Sequence, residues 1–250
     1  MQLTALPQRR YRRCPKPLEL WAILAPFISS QAIAKAGTIQ EASAQLVGHL
    51  VNPEPGATVI DLCAAPGGKT THLVELMQGG GAVWACDRTA SRLKRLQQNL
   101  NRLQINTVNL WEGDGRSLSA EIPLADYILI DAPCSGLGTL NRHADARWRQ
   151  TPESVQELSE LQGQLLSAAT QHVKPGSGVI VYATCTLHPK ENEGVIARFL
   201  EQHPQWQLDV EKVAANSILE ALQTEPGWIK IWPHEQAMDG FFMARLRQVF

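Results

Sequence analysis

A chain of 250 residues is long enough for one large domain or two small ones, with a substantial buried core. Hydrophobic residues make up 44% and charged residues 19%; the charged share falls below the roughly 25% of an average soluble protein, which excludes a disordered or highly charged tail protein. With 23 Lys+Arg against 24 Asp+Glu the formal net charge is -1, so composition does not mark a nucleic-acid binder and any basic footprint has to be local.

Residues 1–37 are basic and then apolar, the texture of an arm or small helical appendage ahead of a main domain over 38–250. Arg9, Arg10, Arg12 and Arg13 before the uncharged stretch Leu20–Ala34 loosely resemble a secretory signal, but Glu19 and Pro26 interrupt the pattern and Ser29, Ser30 and Gln31 dilute it. No run reaches the about 18 apolar residues of a membrane span. Five cysteines, at 14, 63, 86, 134 and 185, form no C-x-x-C pair and no metal-type spacing. An odd count argues against a disulfide framework, so the reading is reduced thiols in a cytoplasmic protein without a metal.

From residue 57 onward, short β-branched apolar runs alternate with amphipathic stretches. This is the pattern of an α/β, doubly wound, mostly parallel sheet covered by helices on both faces. The predicted strands are Ala57–Leu62, Ala82–Cys86, Thr107–Trp111, Tyr127–Ile130 and Gly178–Ala183. Between them, Leu93, Leu96, Leu100 and Leu103 recur at helical spacing. So do Leu158, Leu161 and Leu165 after the Thr151-Pro152 start signal, with Pro175-Gly176-Ser177-Gly178 closing that helix. Val195, Ile196, Phe199 and Leu200 mark a later helix. Residues 205–236 read as a mixed segment, and Gly240–Leu246 as a last edge strand.

Ligands of an open parallel sheet bind outside the carboxyl ends of its strands. Asp61–Thr70 (DLCAAPGGKT) follows the first predicted strand, Asp87 the second, Gly113-Asp114-Gly115 the third, Asp131-Ala132-Pro133-Cys134 the fourth and Thr184-Cys185-Thr186 the fifth. The first loop ends like a phosphate clamp, yet Cys63 stands where the leading Gly of that pattern belongs, and no G-x-G-x-x-G is present. What remains is a small-residue turn that lets a ligand approach the backbone, followed by a helix N-terminus suited to a carboxylate. Asp87 suits the two hydroxyls of a ribose and Asp114 an exocyclic amine. A nucleoside carrying an amino acid uses all three features, and S-adenosylmethionine is the common one.

An isolated free cysteine is ordinarily a small buried hydrophobe, which suits Cys86. Cys134 and Cys185 fit that description poorly, because each lies in a loop of Pro, Gly, Ser or Thr on the same rim as the cofactor loops. Methylating carbon 5 of cytosine gives such thiols work: a thiolate adds to carbon 6, and the resulting enamine can attack a sulfonium methyl. Asp131 can serve as the acid at ring nitrogen 3 and Lys69 can help activate the thiol. Arg142, His143, Arg147, Trp148 and Arg149 mix cations with an aromatic beside this rim, a combination suited to single-stranded RNA.

These residues carry a resemblance. Asp61–Thr70, Asp87 with Arg92, Gly113–Arg116 (GDGR), Asp131–Gly136 (DAPCSG), Ala183–Asn192 (ATCTLHPKEN) and Asp239–Phe242 resemble, in order and at compatible spacing, the RNA 5-methylcytosine methyltransferases of the Sun/Fmu group, nearest to its bacterial small-subunit ribosomal members. The resemblance implies a seven-stranded S-adenosylmethionine-binding domain and a cytidine of 16S ribosomal RNA as target. It implies that Cys63, Ala64, Ala65, Pro66, Gly67, Gly68 and Lys69 line the cofactor's amino-acid end. Asp87, with Arg92 from the same motif, would hold the ribose, Asp114 the adenine, and Asp131 would lie near the methyl group and the base. Cys185 would be the nucleophile, with Cys134 assisting removal of the carbon 5 proton and release of the enzyme. Thr186 stands where Ser is commoner, a change expected to matter little, and His188 reads as structural. Longer members of the group carry a NusB-like RNA-binding domain that residues 1–37 do not match. The basic arm is therefore expected to contact phosphates. Transfer RNA as substrate, and a catalytically silent RNA-binding or assembly protein on the same fold, stand as alternatives.

Overall fold

A computed structural model describes residues 38–224 and 227–249. The basic arm and Cys14 lie outside the described residues. Helix α1 (Ala42–Val51) leads into β1 (Thr58–Asp61), α2 (Gly68–Leu76), β2 (Ala82–Asp87), α3 (Ala90–Leu103), β3 (Val108–Glu112) and β4 (Tyr127–Asp131). A short α4 (Ala146–Arg149) and the long α5 (Pro152–Ala169) precede β5 (Val179–Thr184) and α6 (Glu193–Gln202). The chain then runs through β6 (Trp206–Leu208), α7 (Val210–Ala214), α8 (Ser217–Leu222), β7 (Ile229–Ile231), α9 (Pro233–Gln236) and β8 (Phe241–Gln248).

The sheet order is β3-β2-β1-β4-β5-β8-β6, seven strands on one path, with short β7 as an eighth beside β8. Strands β1 to β5 are parallel, and β8 is antiparallel to β5, β6 and β7. Alternate residues of the central strands feed two cores, which is why these strands are continuously apolar in sequence. Val59, Leu129, Val181 and Ala183 meet Leu46, Val47, Leu73 and Met77 of α1 and α2 on one face. Ile60, Ile128, Ile130, Ile180 and Tyr182 meet Leu165, Leu166, Val195, Ile196 and Phe199 of α5 and α6 on the other. Each such fully buried aliphatic side chain contributes about 1.5–3 kcal/mol, enough in aggregate to hold the loops at the strand ends on a rigid frame. Leu93, Leu96 and Leu100 form a third cluster with Ala64 and Ala85, pinning α3 beside the first loop.

Two readings change. Helix α5 stops at Ala169 rather than at Pro175, because Thr170–His172 turn and Ala125 bridges to Val173 before β5 begins. The strand over Gly240–Leu246 is not an edge. Phe241–Gln248 runs between β5 on one side and β6 and β7 on the other, and Phe241 to Leu246 are all buried. The two short strands share that second edge, and their brevity hid them in the mixed segment.

Candidate active site

The strand order reverses between β1 and β4, so the cleft expected of this architecture opens above the carboxyl ends of those two strands. Asp61 ends β1, Asp87 ends β2, Asp131 ends β4, and Cys185 follows the last residue of β5. The turn after β1 depends on Gly67. Its φ of 106° is left-handed, and a Cβ there would collide with Leu96 Cδ1. A cis peptide joins Ala65 to Pro66 within the same turn.

Lys69, in the first turn of α2, donates to Asp131 Oδ2 at 2.7 Å and lies 5.2 Å from the centre of the Phe241 ring. Burial works against its ammonium, but Asp131, Asp61 and Cys185 outweigh it, so the Lys69 pKa rises and the charge is retained. Asp131 is thus an ion-pair partner as well as the expected neighbour of the base. Asp61 is fully buried and accepts from Thr70 Oγ1 at 2.7 Å. Burial pushes its pKa up to about 7 against the pull of Thr70, with Asp131 adding to the rise.

Asp87 accepts from the Thr89 N–H at 3.0 Å, and its Oδ2 lies 3.1 Å from Arg92 Nη1. Arg92 also donates to the Ala65 carbonyl, so it ties the ribose candidate to the first loop. Cys63 lies among carboxylates, and burial, then Asp131, Asp61 and Asp87, lifts its thiol far above the usual range. Asp114 stands differently. Arg116 grips both its oxygens through Nε and Nη2 and one through the backbone N–H, and these bonds hold its pKa down at about 2.

Of the buried carboxylate oxygens here, Asp61 Oδ1 lacks a hydrogen-bond partner, and Asp87 Oδ2 meets only the Arg92 ion pair, with no geometric hydrogen bond. Buried acceptors of this kind are normally satisfied, and hydroxyl or ammonium donors of a nucleoside-linked amino acid would satisfy them. The residues present therefore fit S-adenosylmethionine. The sequence reading missed Asp61 and Thr70 as members of this site; an aspartate closing an apolar strand, nine residues before a threonine in the first turn of the next helix, was the available signal.

The two thiols meet. Cys134 Sγ lies 3.3 Å from Cys185 Sγ, although the cysteines are 51 residues apart in sequence. The hydrogen bond shared with Cys134, helped by Lys69 and opposed by burial and Asp131, holds Cys185 below the usual thiol range. Cys134 is held well above it by the same bond, then by burial and by the charges of Cys185 and Glu191. The two shifts run in opposite directions, so Cys185 is the more easily ionised of the pair. Cys86 is fully buried, and burial, then Asp61, pushes its thiol up to about 12, in keeping with a core residue.

The loops carrying the thiols are close-packed at Gly138. Its N–H donates to the Cys185 carbonyl at 2.9 Å and its carbonyl accepts from Gly240 N–H at 2.8 Å. A Cβ on Gly138 would collide with the Gly240 carbonyl. Asp239, next to Gly240, is buried and ion-paired with Arg142. Arg142 is therefore partly committed to the fold, whereas Trp148 is 85% exposed and Arg147 and Arg149 are exposed around it on α4. Arg149 pairs with Asp145 at 2.9 Å. His188 accepts from Lys190 N–H at 3.2 Å, as a structural histidine would.

The doubly wound, mostly parallel sheet places the chain in the S-adenosylmethionine-dependent methyltransferase fold class. The 16S rRNA methyltransferase RsmB/F family model matches residues 48–247, and the chain belongs to that family. It is 45% identical over 214 residues to a probable ribosomal RNA small subunit methyltransferase B of Synechocystis sp., covering 84% of this chain and 47% of that protein. It is 41% identical over 211 residues to ribosomal RNA small subunit methyltransferase B of Yersinia pseudotuberculosis, covering 84% of this chain and 46% of the relative. The crystal structure of NSun6 from Pyrococcus horikoshii with SFG superposes with a TM-score of 0.74 at 29% identity, over 88% of this chain and 55% of that one. The chain spans about half the length of the curated relatives it matches.

Proposed function

We propose that this protein transfers a methyl group from S-adenosylmethionine to carbon 5 of a cytidine in RNA, and that the RNA is 16S ribosomal RNA. The observation that carries the reading is the 3.3 Å approach of the Cys134 and Cys185 sulfurs beside the Lys69–Asp131 pair. Family membership and the SFG-bound relative, SFG being an analogue of S-adenosylmethionine, support the cofactor.

Cys63–Lys69 would hold the cofactor's amino-acid end, Asp87 its ribose and Asp114 its adenine, with Arg92 acting by orienting Asp87 and the Ala65 carbonyl. A ligand amine at Asp114 would share its carboxylate with Arg116. When bound, the cofactor supplies an electrophilic methyl group. Cys185, as thiolate, forms a bond to carbon 6 of the cytosine, while Asp131 in its protonated form, as the acid, gives its proton to ring nitrogen 3 where negative charge develops, and the carboxylate left behind is met by Lys69. Carbon 5 then accepts the methyl group, whose bond to the donor sulfur breaks. Cys134 removes the carbon 5 proton, the Cys185–carbon 6 bond breaks, ring nitrogen 3 returns its proton to Asp131, and the ring is restored with Cys185 again a thiolate. Alkylating Cys185 at carbon 6 also removes the negative sulfur that held the proton on Cys134, so Cys134 can release that proton to solvent and stand as the thiolate that removes the carbon 5 proton. Trp148, with Arg147 and Arg149, would stack and steer the unpaired strand next to the flipped base.

The test is incubation of labelled cofactor with 16S ribosomal RNA, and separately with transfer RNA, using wild type, Cys185→Ala and Cys134→Ala. Wild type should label carbon 5 of a cytidine in the ribosomal RNA, Cys185→Ala should give no product, and Cys134→Ala should accumulate a covalent protein–RNA adduct. Normal turnover by Cys134→Ala with the label still at carbon 5 would overturn the two-thiol assignment. Labelling of transfer RNA alone would move the substrate.

A further inference from the structure

Glu191 takes no part in the steps above, yet it is a fully buried carboxylate in the loop between β5 and α6. The hydrogen bonds it accepts come from neutral groups. Oε1 accepts from Ser135 N–H at 2.9 Å and from Gln162 Nε2 at 3.0 Å, and Oε2 accepts from Ser135 Oγ at 2.5 Å. A buried anion is costly unless hydrogen bonds replace its water, and three donors do so here.

Its surroundings follow a pattern. Ser135 comes directly after Cys134 and Thr186 directly after Cys185, and their hydroxyls lie 2.9 Å apart. Gln162 also donates to the carbonyl of Pro133, the residue before Cys134. Asn192, next to Glu191, accepts from Thr184 Oγ1 at 2.6 Å and donates to the Thr186 carbonyl at 2.9 Å. Tyr182 anchors the block from β5 by donating to the Glu191 carbonyl at 2.5 Å. Both chain neighbours of each thiol are thus fastened to Glu191-Asn192, directly or through one side chain.

We propose that Glu191 is the positioning residue of the two-thiol centre, clamping the Cys134 loop onto the Cys185 loop and placing its charge on the Cys134 side. What the thiols then do rests on the methyltransferase reading; how they are held does not. The titratable and charged groups facing the pair divide by side. Lys69 and Asp131 act on Cys185, while Glu191 acts on Cys134 and Tyr182 faces it. The negative charge of Glu191 adds to the Cys185 hydrogen bond, burial and the Cys185 charge in raising Cys134, and so helps leave Cys185 as the attacking sulfur.

The test uses the full chain as wild type, Glu191→Gln, Glu191→Ala and Ser135→Ala. Alkylation of each thiol by iodoacetamide is followed against pH by peptide mass spectrometry, beside melting temperature and methyl-transfer kinetics. Glu191→Gln keeps an acceptor for the Ser135 N–H and loses the charge, so Cys134 should become alkylated at lower pH and the gap between the two thiol profiles should narrow. Ser135→Ala keeps the charge and loosens the clamp. Its Cys185 profile should move to higher pH, and kcat should fall by roughly 10²-fold with little change in KM, the scale of a misplaced reacting group. Thiol profiles unchanged in folded Glu191→Gln and Ser135→Ala would overturn the proposal, including the case where activity falls only in step with melting temperature. Should Glu191→Ala fail to fold, the two milder variants decide the matter. Absence of methyl transfer in wild type would count against the function proposed above, while the alkylation profiles, which need neither RNA nor cofactor, would still decide the role of Glu191.

Discussion

Asp61 is the clearest case of a single side chain whose environment sets its chemistry. Its folded pKa of about 7 lies above that of an ordinary carboxyl, with burial the first cause. Its contribution to stability is therefore fully present below about pH 4 and is lost as pH rises through about 7, each tenfold change in proton affinity being worth roughly 1.4 kcal/mol. Asp61→Asn keeps an acceptor for Thr70 and cannot ionise. The variant should melt higher than wild type at alkaline pH, and its melting temperature should be flatter between pH 4 and 7; an unchanged pH profile would show that Asp61 does not titrate in that window. Arg142 needs the opposite care. Because it neutralises buried Asp239, Arg142→Ala should lower thermal stability as well as RNA binding, so a loss of binding in that variant alone is no proof of an RNA contact.

At the scale of elements, α4 and the turn before α2 make separable predictions. Trp148→Ala should weaken RNA binding by about 1–3 kcal/mol in a filter or fluorescence assay while leaving melting temperature within error, since the ring is exposed and holds nothing together. Arg147→Ala should reduce the slope of log K against log salt by about one, the signature of a lost phosphate contact. Gly67→Ala forces an L side chain into left-handed backbone and against Leu96. It should destabilise by about 1–3 kcal/mol in denaturant unfolding, and cofactor binding measured by calorimetry should weaken because the turn has to move. The elements around these sites were legible in advance where periodicity was strong. The leucines at 93, 96 and 100 and the Thr151-Pro152 start place α3 and α5, and Thr151 and Ser154 do form a reciprocal cap. Strands β6 and β7, three residues each, carry too little pattern to be seen.

For the whole molecule, Arg245 joins parts of the chain that are 194 and 195 residues apart. From β8 it bonds Asp209 at 2.8 Å and donates to the carbonyls of Leu50 and Val51 at the end of α1, 2.7 Å each. Arg245→Met should cost about 3–5 kcal/mol in urea unfolding, because Asp209 and two helix-end carbonyls are left buried without their donor. A cost below about 1 kcal/mol would mean that water or Arg247 takes over. What the sequence by itself determined is the local chemistry: alternating strands and helices, an acidic residue at or just after the end of each of the first four strands, a glycine turn, and two cysteines in polar loops rather than in the core. Propensity and spacing act over a few residues, so those features are written in the chain. The tertiary structure alone decided that β8 lies inside the sheet, that Arg142 belongs partly to Asp239, and that Glu191-Asn192 holds both thiol loops. It also decided that two sulfurs 51 residues apart stand 3.3 Å from each other. Such pairings depend on which strands become neighbours, and that is settled by burying both faces of one sheet at once, a condition no short stretch of sequence expresses.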